Sequence, residues 1–163
     1  IRIFDKCLTY FPEIDGFCIH DDWGGQKSCF FSPDVGEEIL VPAMKQVTDF
    51  LHSKGRYCDL HSCGQVIKQI PNMLKAGWDS WSGQPMNDTQ LEYELYGDGI
   101  IIGVIPDAVP VNATEEEVRA AAKAYVDKFC NKAKPSTLNP QAGGLSELFH
   151  DEIYKLSRIA YNS

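Results

Sequence analysis

Arg56-Tyr57-Cys58-Asp59-Leu60-His61-Ser62-Cys63-Gly64 is the stretch on which the reading of the fold turns. It starts as a strand, ends in a glycine, and leads into a segment with helical character from Val66 to Ala76. Residues two apart on a strand share a face. Tyr57, Asp59, His61 and Cys63 therefore lie on one side, with Cys58 and Leu60 on the other. His61 and Cys63 project together at the strand's carboxyl end, where an imidazole and a thiolate can form half of a tetrahedral zinc site. An isolated His-x-Cys is more often two ordinary residues of a buried strand, so the context has to decide.

Upstream, Gly16 to Asp22 (GFCIHDD) reads as a strand with Phe17 and Ile19 on one face and Cys18, His20 and Asp22 on the other. A short helical lead-in over residues 1–11 precedes it and stops at Pro12. After a loop broken by Gly24, Gly25 and Pro33, apolar residues recur at helical spacing from Ile39 to Leu51. Pro42 interrupts that run and predicts a helix start or a kink; Gly55 closes it. Downstream lie a third strand over 78–82, a helix over 88–96 and a continuous apolar run over 100–105. Such a run suits a parallel strand covered on both faces. Thr114 and Glu117 fit a capping box ahead of an apolar stripe formed by Val118, Ala121, Ala122, Tyr125, Val126 and Phe129. A weak strand over 136–139 follows. A last helix from Ser146 turns Phe149, Ile153, Leu156 and Ala160 inward.

Five strand-helix units in succession imply a parallel sheet with right-handed crossovers. An open doubly wound sheet and a (β/α)8 barrel both satisfy that. Reactive side chains gather at strand carboxyl ends (His20, Asp21, Asp22; His61, Cys63), which favours the barrel. No Gly-x-Gly-x-x-Gly follows any strand, so the dinucleotide-binding signature is missing. The expected fold class is α/β, the C-terminal portion (about five βα units) of a TIM (β/α)8 barrel. It would form a single domain over residues 1–163, with the N-terminal strands of the barrel missing, since 163 residues fall short of the roughly 250 of a typical barrel. A half-barrel exposes strand edges and is expected to self-associate or to pair with its missing N-terminal half.

Composition narrows the partners. Hydrophobic residues at 44% and charged residues at 23% are ordinary for a soluble globular chain. A net charge of -8 argues against nucleic acid and anionic membranes. No apolar run approaches the roughly 20 residues of a membrane span. Six cysteines without framework spacing point to free thiols and a cytoplasmic location.

Several short motifs fall in a specific order: Asp21-Asp22-Trp23-Gly24-Gly25-Gln26, Ser32-Pro33, Pro42 with Lys45, His61-Ser62-Cys63-Gly64, Gly77-Trp78-Asp79 and Gln84-Pro85. Together they resemble the uroporphyrinogen decarboxylase superfamily. Within it they are most similar to the corrinoid-dependent methyltransferase branch, which includes bacterial O-demethylase methyltransferases. The resemblance implies the C-terminal part of a (β/α)8 barrel and a zinc site that uses His61 and Cys63. It also implies a small-molecule methyl donor or acceptor such as a methoxylated aromatic, and a corrinoid protein as partner. The methyltransferases add a later cysteine near the last strand. Here that stretch is Asn139 to Gly144, without cysteine, and Cys130 is the only later cysteine. The same stretch lacks the histidine of the decarboxylases, which counts against porphyrinogen decarboxylation, the alternative activity. An inactive half-barrel is the non-enzymatic reading.

Within this frame Asp22 is the candidate catalytic acid for a departing alkoxide or phenoxide, and equally a loop cap or the missing metal ligand. Trp23, Gln26, Tyr57 and Gln84 are the candidate substrate-binding residues, although aromatics are more often core. His20 reads as a pocket residue or, somewhat more readily, as a packed core histidine.

Overall fold

Five strands, each followed by a helix, give the α/β class expected from the sequence. The structure is a computed structural model that describes every residue from Ile1 to Ser163. The chain divides into two compact units, Ile1–Asn87 and Asp88–Ser163.

The first unit opens with α1 (Arg2–Tyr10), an amphipathic helix with no buried residue. Strands β1 (Gly16–His20), β2 (Tyr57–His61) and β3 (Ser80–Trp81) follow, with β2 parallel to both others. The register sets Gly16 beside Tyr57 and His20 beside His61. Between β1 and β2 lie α2 (Pro33–Val35), a π-helical turn (Gly36–Leu40) and α3 (Val41–Ser53). Pro42 has no amide hydrogen and its ring would crowd the carbonyl four residues back. The wide turn just before α3 accommodates it, so the helix is remodelled at its entry rather than broken. A 3-10 turn (Ile67–Gln69) and α4 (Ile70–Ala76) connect β2 to β3. Gly77 ends α4 with φ of 82°, a left-handed conformation that costs a glycine little.

Alternation along β2 settles which face is core. Cys58 and Leu60 are fully buried, together with Leu51, Val66, Ile70, Met73, Ala76 and Trp81. Burying a side chain such as Leu60 or Ile70 is worth roughly 1.5–3 kcal/mol. The opposite face of β2, with Asp59 and His61, stays half-buried. All five strands are shorter than the sequence suggests. Strand β2 stops at His61, so Cys63 belongs to a loop, and β3 keeps only two residues. After His61 the backbone bonds side chains instead of a neighbouring strand: the Cys63 amide donates to Asp22 and the Gly64 amide to Gln84.

The second unit holds α5 (Thr89–Tyr96), β4 (Ile101–Val104), α6 (Glu115–Phe129), β5 (Ser136–Leu138) and α7 (Glu147–Asn162). Strands β4 and β5 are parallel, with Ile102 beside Ser136 and Val104 beside Leu138. The capping box forms as expected: the Glu117 amide donates to Thr114 Oγ1, and Glu117 accepts from the Thr114 amide. The α6 stripe buries Val118, Ala122, Tyr125, Val126 and Phe129, whereas Ala121 is only half-buried. Helix α7 contributes Phe149 and Ile153 to the core, and Arg119 of α6 pairs with Glu152 of α7. Glu92 of α5 is fully buried with neither carboxylate oxygen hydrogen-bonded. Burial, reinforced by the charge of Asp88, pushes its pKa up to about 8. All six cysteines are free thiols. No helix is long and apolar enough to cross a membrane.

Candidate metal centre

The carboxyl ends of β1 and β2 bring Asp22, His61 and Cys63 together. Their potential ligand atoms all lie within 4.8 Å of one another, and His61 Nε2 is 3.3 Å from Cys63 Sγ. In a tetrahedral zinc site with Zn–N near 2.0 Å and Zn–S near 2.3 Å, neighbouring donors sit roughly 3.3–3.8 Å apart. The pair already has that spacing. Asp22 is exposed and the other two are half-buried, so the donors remain accessible from solvent.

Charge fits as well. The Cys63 amide donates to Asp22 Oδ1 at 2.8 Å. That bond is the main reason the Asp22 carboxyl is held below its ordinary value, and His61 and His20 add to the effect. The Cys63 thiol is pushed the other way, first by burial and then by Asp22. One negative charge at Asp22 thus opposes a second on Cys63. A dication between them would relieve that opposition and let the thiol ionise. The donor set and its electrostatics therefore suit zinc.

Local bonds set the geometry. The Trp23 amide donates to Ser62 Oγ at 2.9 Å, which ties the two strand ends together, and Trp23 Nε1 donates to Asp21 Oδ2 at 2.9 Å within the segment after β1. Gly64 has φ of 82°, and a Cβ there would overlap the Gly24 backbone. The Gly64 amide donates to Gln84 Oε1 at 2.7 Å, while Asn87 Nδ2 donates to the Gly64 carbonyl at 2.9 Å. Asn87 Oδ1 also accepts from the Val66 amide, so the turn after Cys63 is clamped on both sides.

The candidate residues are not all gathered. Trp23 is fully buried and supports the site from behind. Gln84 spends its Oε1 on the Gly64 amide. Gln26 is exposed on the loop after β1. Tyr57 lies at the opposite end of β2, 66% exposed. Four residues at about 3.3 Å each separate it from His61 by about 13 Å, so the structure does not bring it to the site. Cys130 caps α6 in the second unit, half-buried. His20 is exposed rather than a packed core histidine, and its ring stacks on His61 with centroids 4.4 Å apart. Ser62, Asn87 and the His20 stack were missed. The parity of β1 placed His20 on the Asp22 face, but only the strand register pairs it with His61.

A second set of donors, His52, Cys58 and Asp79, lies at the amino ends of the strands. Asp79 Oδ2 already accepts from the Cys58 amide at 2.7 Å and pairs with His52 Nε2 at 2.9 Å. Cys58 is fully buried, with its thiol pushed up to about 12 by burial and by Asp79. The set braces α3 against the start of β2 and the residue before β3, at the end of the strands that barrel proteins use for stability.

Parallel strands with reactive side chains at their carboxyl ends mark the β/α class of proteins, to which the barrels belong. The family model for uroporphyrinogen decarboxylase (URO-D) matches residues 14–148. The chain belongs to the uroporphyrinogen decarboxylase family. Among solved structures, a methyltransferase from Methanosarcina mazei superposes with a TM-score of 0.60 at 15% identity, over 99% of this chain and 46% of that one. The chain thus spans about half the length of that relative in fold. A search of curated protein sequences gave no match.

Proposed function

We propose that this chain is the zinc-binding part of a methyltransferase that moves a methyl group between a small substrate, such as a methoxylated aromatic, and a corrinoid protein. The observation that carries the reading is the spacing and charge of Asp22, His61 and Cys63 at the strand carboxyl ends. The family and the fold shared with a methyltransferase support it. Bound zinc would supply a Lewis acid, and the corrinoid the cobalt that carries the methyl group.

The chain's own residues hold and tune the site. His61 offers a ring nitrogen and Cys63 gives up its proton as a cation arrives. Asp22 stays ionised through the Cys63 amide. A carboxyl held ionised is a poor proton donor, so Asp22 suits the role of third ligand better than that of the acid. The Gln84 and Asn87 clamp fixes the Cys63 loop, as partners beyond the direct ligands do in metal sites. Gln26 remains available to a substrate from the loop after β1.

Metal analysis of the purified chain tests this reading. About one zinc per chain, abolished by His61→Ala and by Cys63→Ala, is the expected result. Cobalt substitution should give a thiolate-to-metal charge-transfer band that Cys63→Ala removes. Failure to bind zinc at saturation, or full occupancy in the double variant, overturns it. The alternative carboxy-lyase reading requires no metal, so the same measurement separates the two.

A further inference from the structure

Beside the metal-ligand loop, the first unit contains a cavity of about 460 Å³ lined by Lys27, Phe30, Phe31, Ile67 and Lys68, with Ser and Gln side chains between them. That is large enough for a small organic ligand. No carboxylate lines it, although the chain as a whole carries a net charge of -8. Neither Lys27 nor Lys68 takes part in the chain's ion pairs. Lys27 and Lys68 therefore line the cavity without an ion-pair partner, beside apolar wall from Phe30, Phe31, Pro33 and Ile67.

The walls are preformed. One is a tight hairpin after β1: Gly24 bridges Cys29, the Gly25 amide donates to the Ser28 carbonyl at 2.8 Å, and the Phe30 amide donates to the Trp23 carbonyl at 2.9 Å. The other wall is the turn after β2. The Gln65 amide donates to the Gly25 carbonyl at 2.9 Å, and Cys29 Sγ donates to the Gln65 carbonyl at 3.5 Å. The buried Gln69 donates to the Phe31 carbonyl at 3.0 Å and holds the far end of the hairpin. A preordered cavity costs a ligand little ordering entropy. Both walls belong to loops that follow strands, and Gln65 is two residues beyond Cys63, so their Cα atoms are at most about 7.6 Å apart.

We propose that this cavity binds a small aromatic monocarboxylate, its ring between Phe30, Phe31 and Ile67 and its carboxylate between Lys27 and Lys68. Lysine ammonium groups act as point charges that accept such an anion without demanding a forked geometry. Phenylalanine edges and faces suit a flat apolar body. The site stands whether or not a metal occupies His61 and Cys63.

Titration of the full chain with benzoate, benzamide and acetate, followed by amide chemical shifts, tests the assignment. Benzoate should shift residues 28–31 and 65–68 saturably, and both benzamide and acetate should bind at least tenfold more weakly, a difference of about 1.4 kcal/mol. Lys27→Gln with Lys68→Gln should abolish the preference for benzoate over benzamide. Lys27→Arg with Lys68→Arg should restore it, and His61→Ala with Cys63→Ala should leave it intact. Equal affinity for benzoate and benzamide, or unchanged binding in the glutamine pair, overturns the proposal. So does binding lost with His61 and Cys63 but kept without the lysines, which would put the carboxylate at the metal centre instead.

Discussion

Glu92→Gln should change the pH dependence of stability in a defined direction. The Glu92 carboxyl is buried in α5 without a hydrogen bond, and its pKa rises from 4.5 to about 8, chiefly through burial and then through Asp88. Between those two values the folded chain keeps a proton that the unfolded chain has released. The unfolded state then binds fewer protons, so stability falls as pH rises. The effect is absent below the unfolded value, grows by about 1.4 kcal/mol per pH unit and levels off above the folded value. Near pH 7 it amounts to about 3 kcal/mol, a large part of the 5–15 kcal/mol that typically holds a protein folded. Gln keeps the shape and removes the titration. Its unbonded amide donors cost about 1–3 kcal/mol, but equally at every pH, so the slope is the readout. Urea unfolding of both proteins from about pH 5 to about pH 8 should show the variant gaining on the parent by roughly 1 kcal/mol per unit. Parallel curves would refute the argument from burial, and a parent that instead gains stability with pH relative to the variant would reverse it.

Gly64→Ala places a Cβ against the Gly24 backbone at a left-handed φ. A loss of roughly 2–4 kcal/mol is expected, with weakened zinc binding because the Cys63 turn must move; unchanged melting and metal content would show that the turn is not under this constraint. Thr114→Ala removes one half of the capping box and should cost about 1 kcal/mol, measured by chemical denaturation, with metal binding untouched. A cost within error would mean that water replaces the cap.

The order of strands and helices was legible because apolar periodicity is a local property. The capping box at Thr114 and Glu117 and the glycine stop at Gly55 were read from neighbours a few residues apart. The ends of β2 and β3 were misjudged for a different reason. Whether Cys63 extends a strand depends on what its amide bonds, and that partner is Asp22, 41 residues away. Similarly, the sequence made Gln84 a free substrate contact, whereas the fold commits its oxygen to Gly64, 20 residues back. Tyr57 shares a face with His61, but a strand has two ends, and parity of spacing does not report which end a residue occupies.

By itself the sequence determined the alternating α/β architecture and set His61 and Cys63 two residues apart. The architecture follows from the two-residue and 3.6-residue periods of the backbone. Only the tertiary structure decided that Asp22 lies within 4.8 Å of His61 and Cys63, that His20 stacks on His61, and that Ser62, Gln84 and Asn87 hold the turn. Those contacts join segments far apart in the chain, and parallel pairing of strands creates them by setting one loop beside the next.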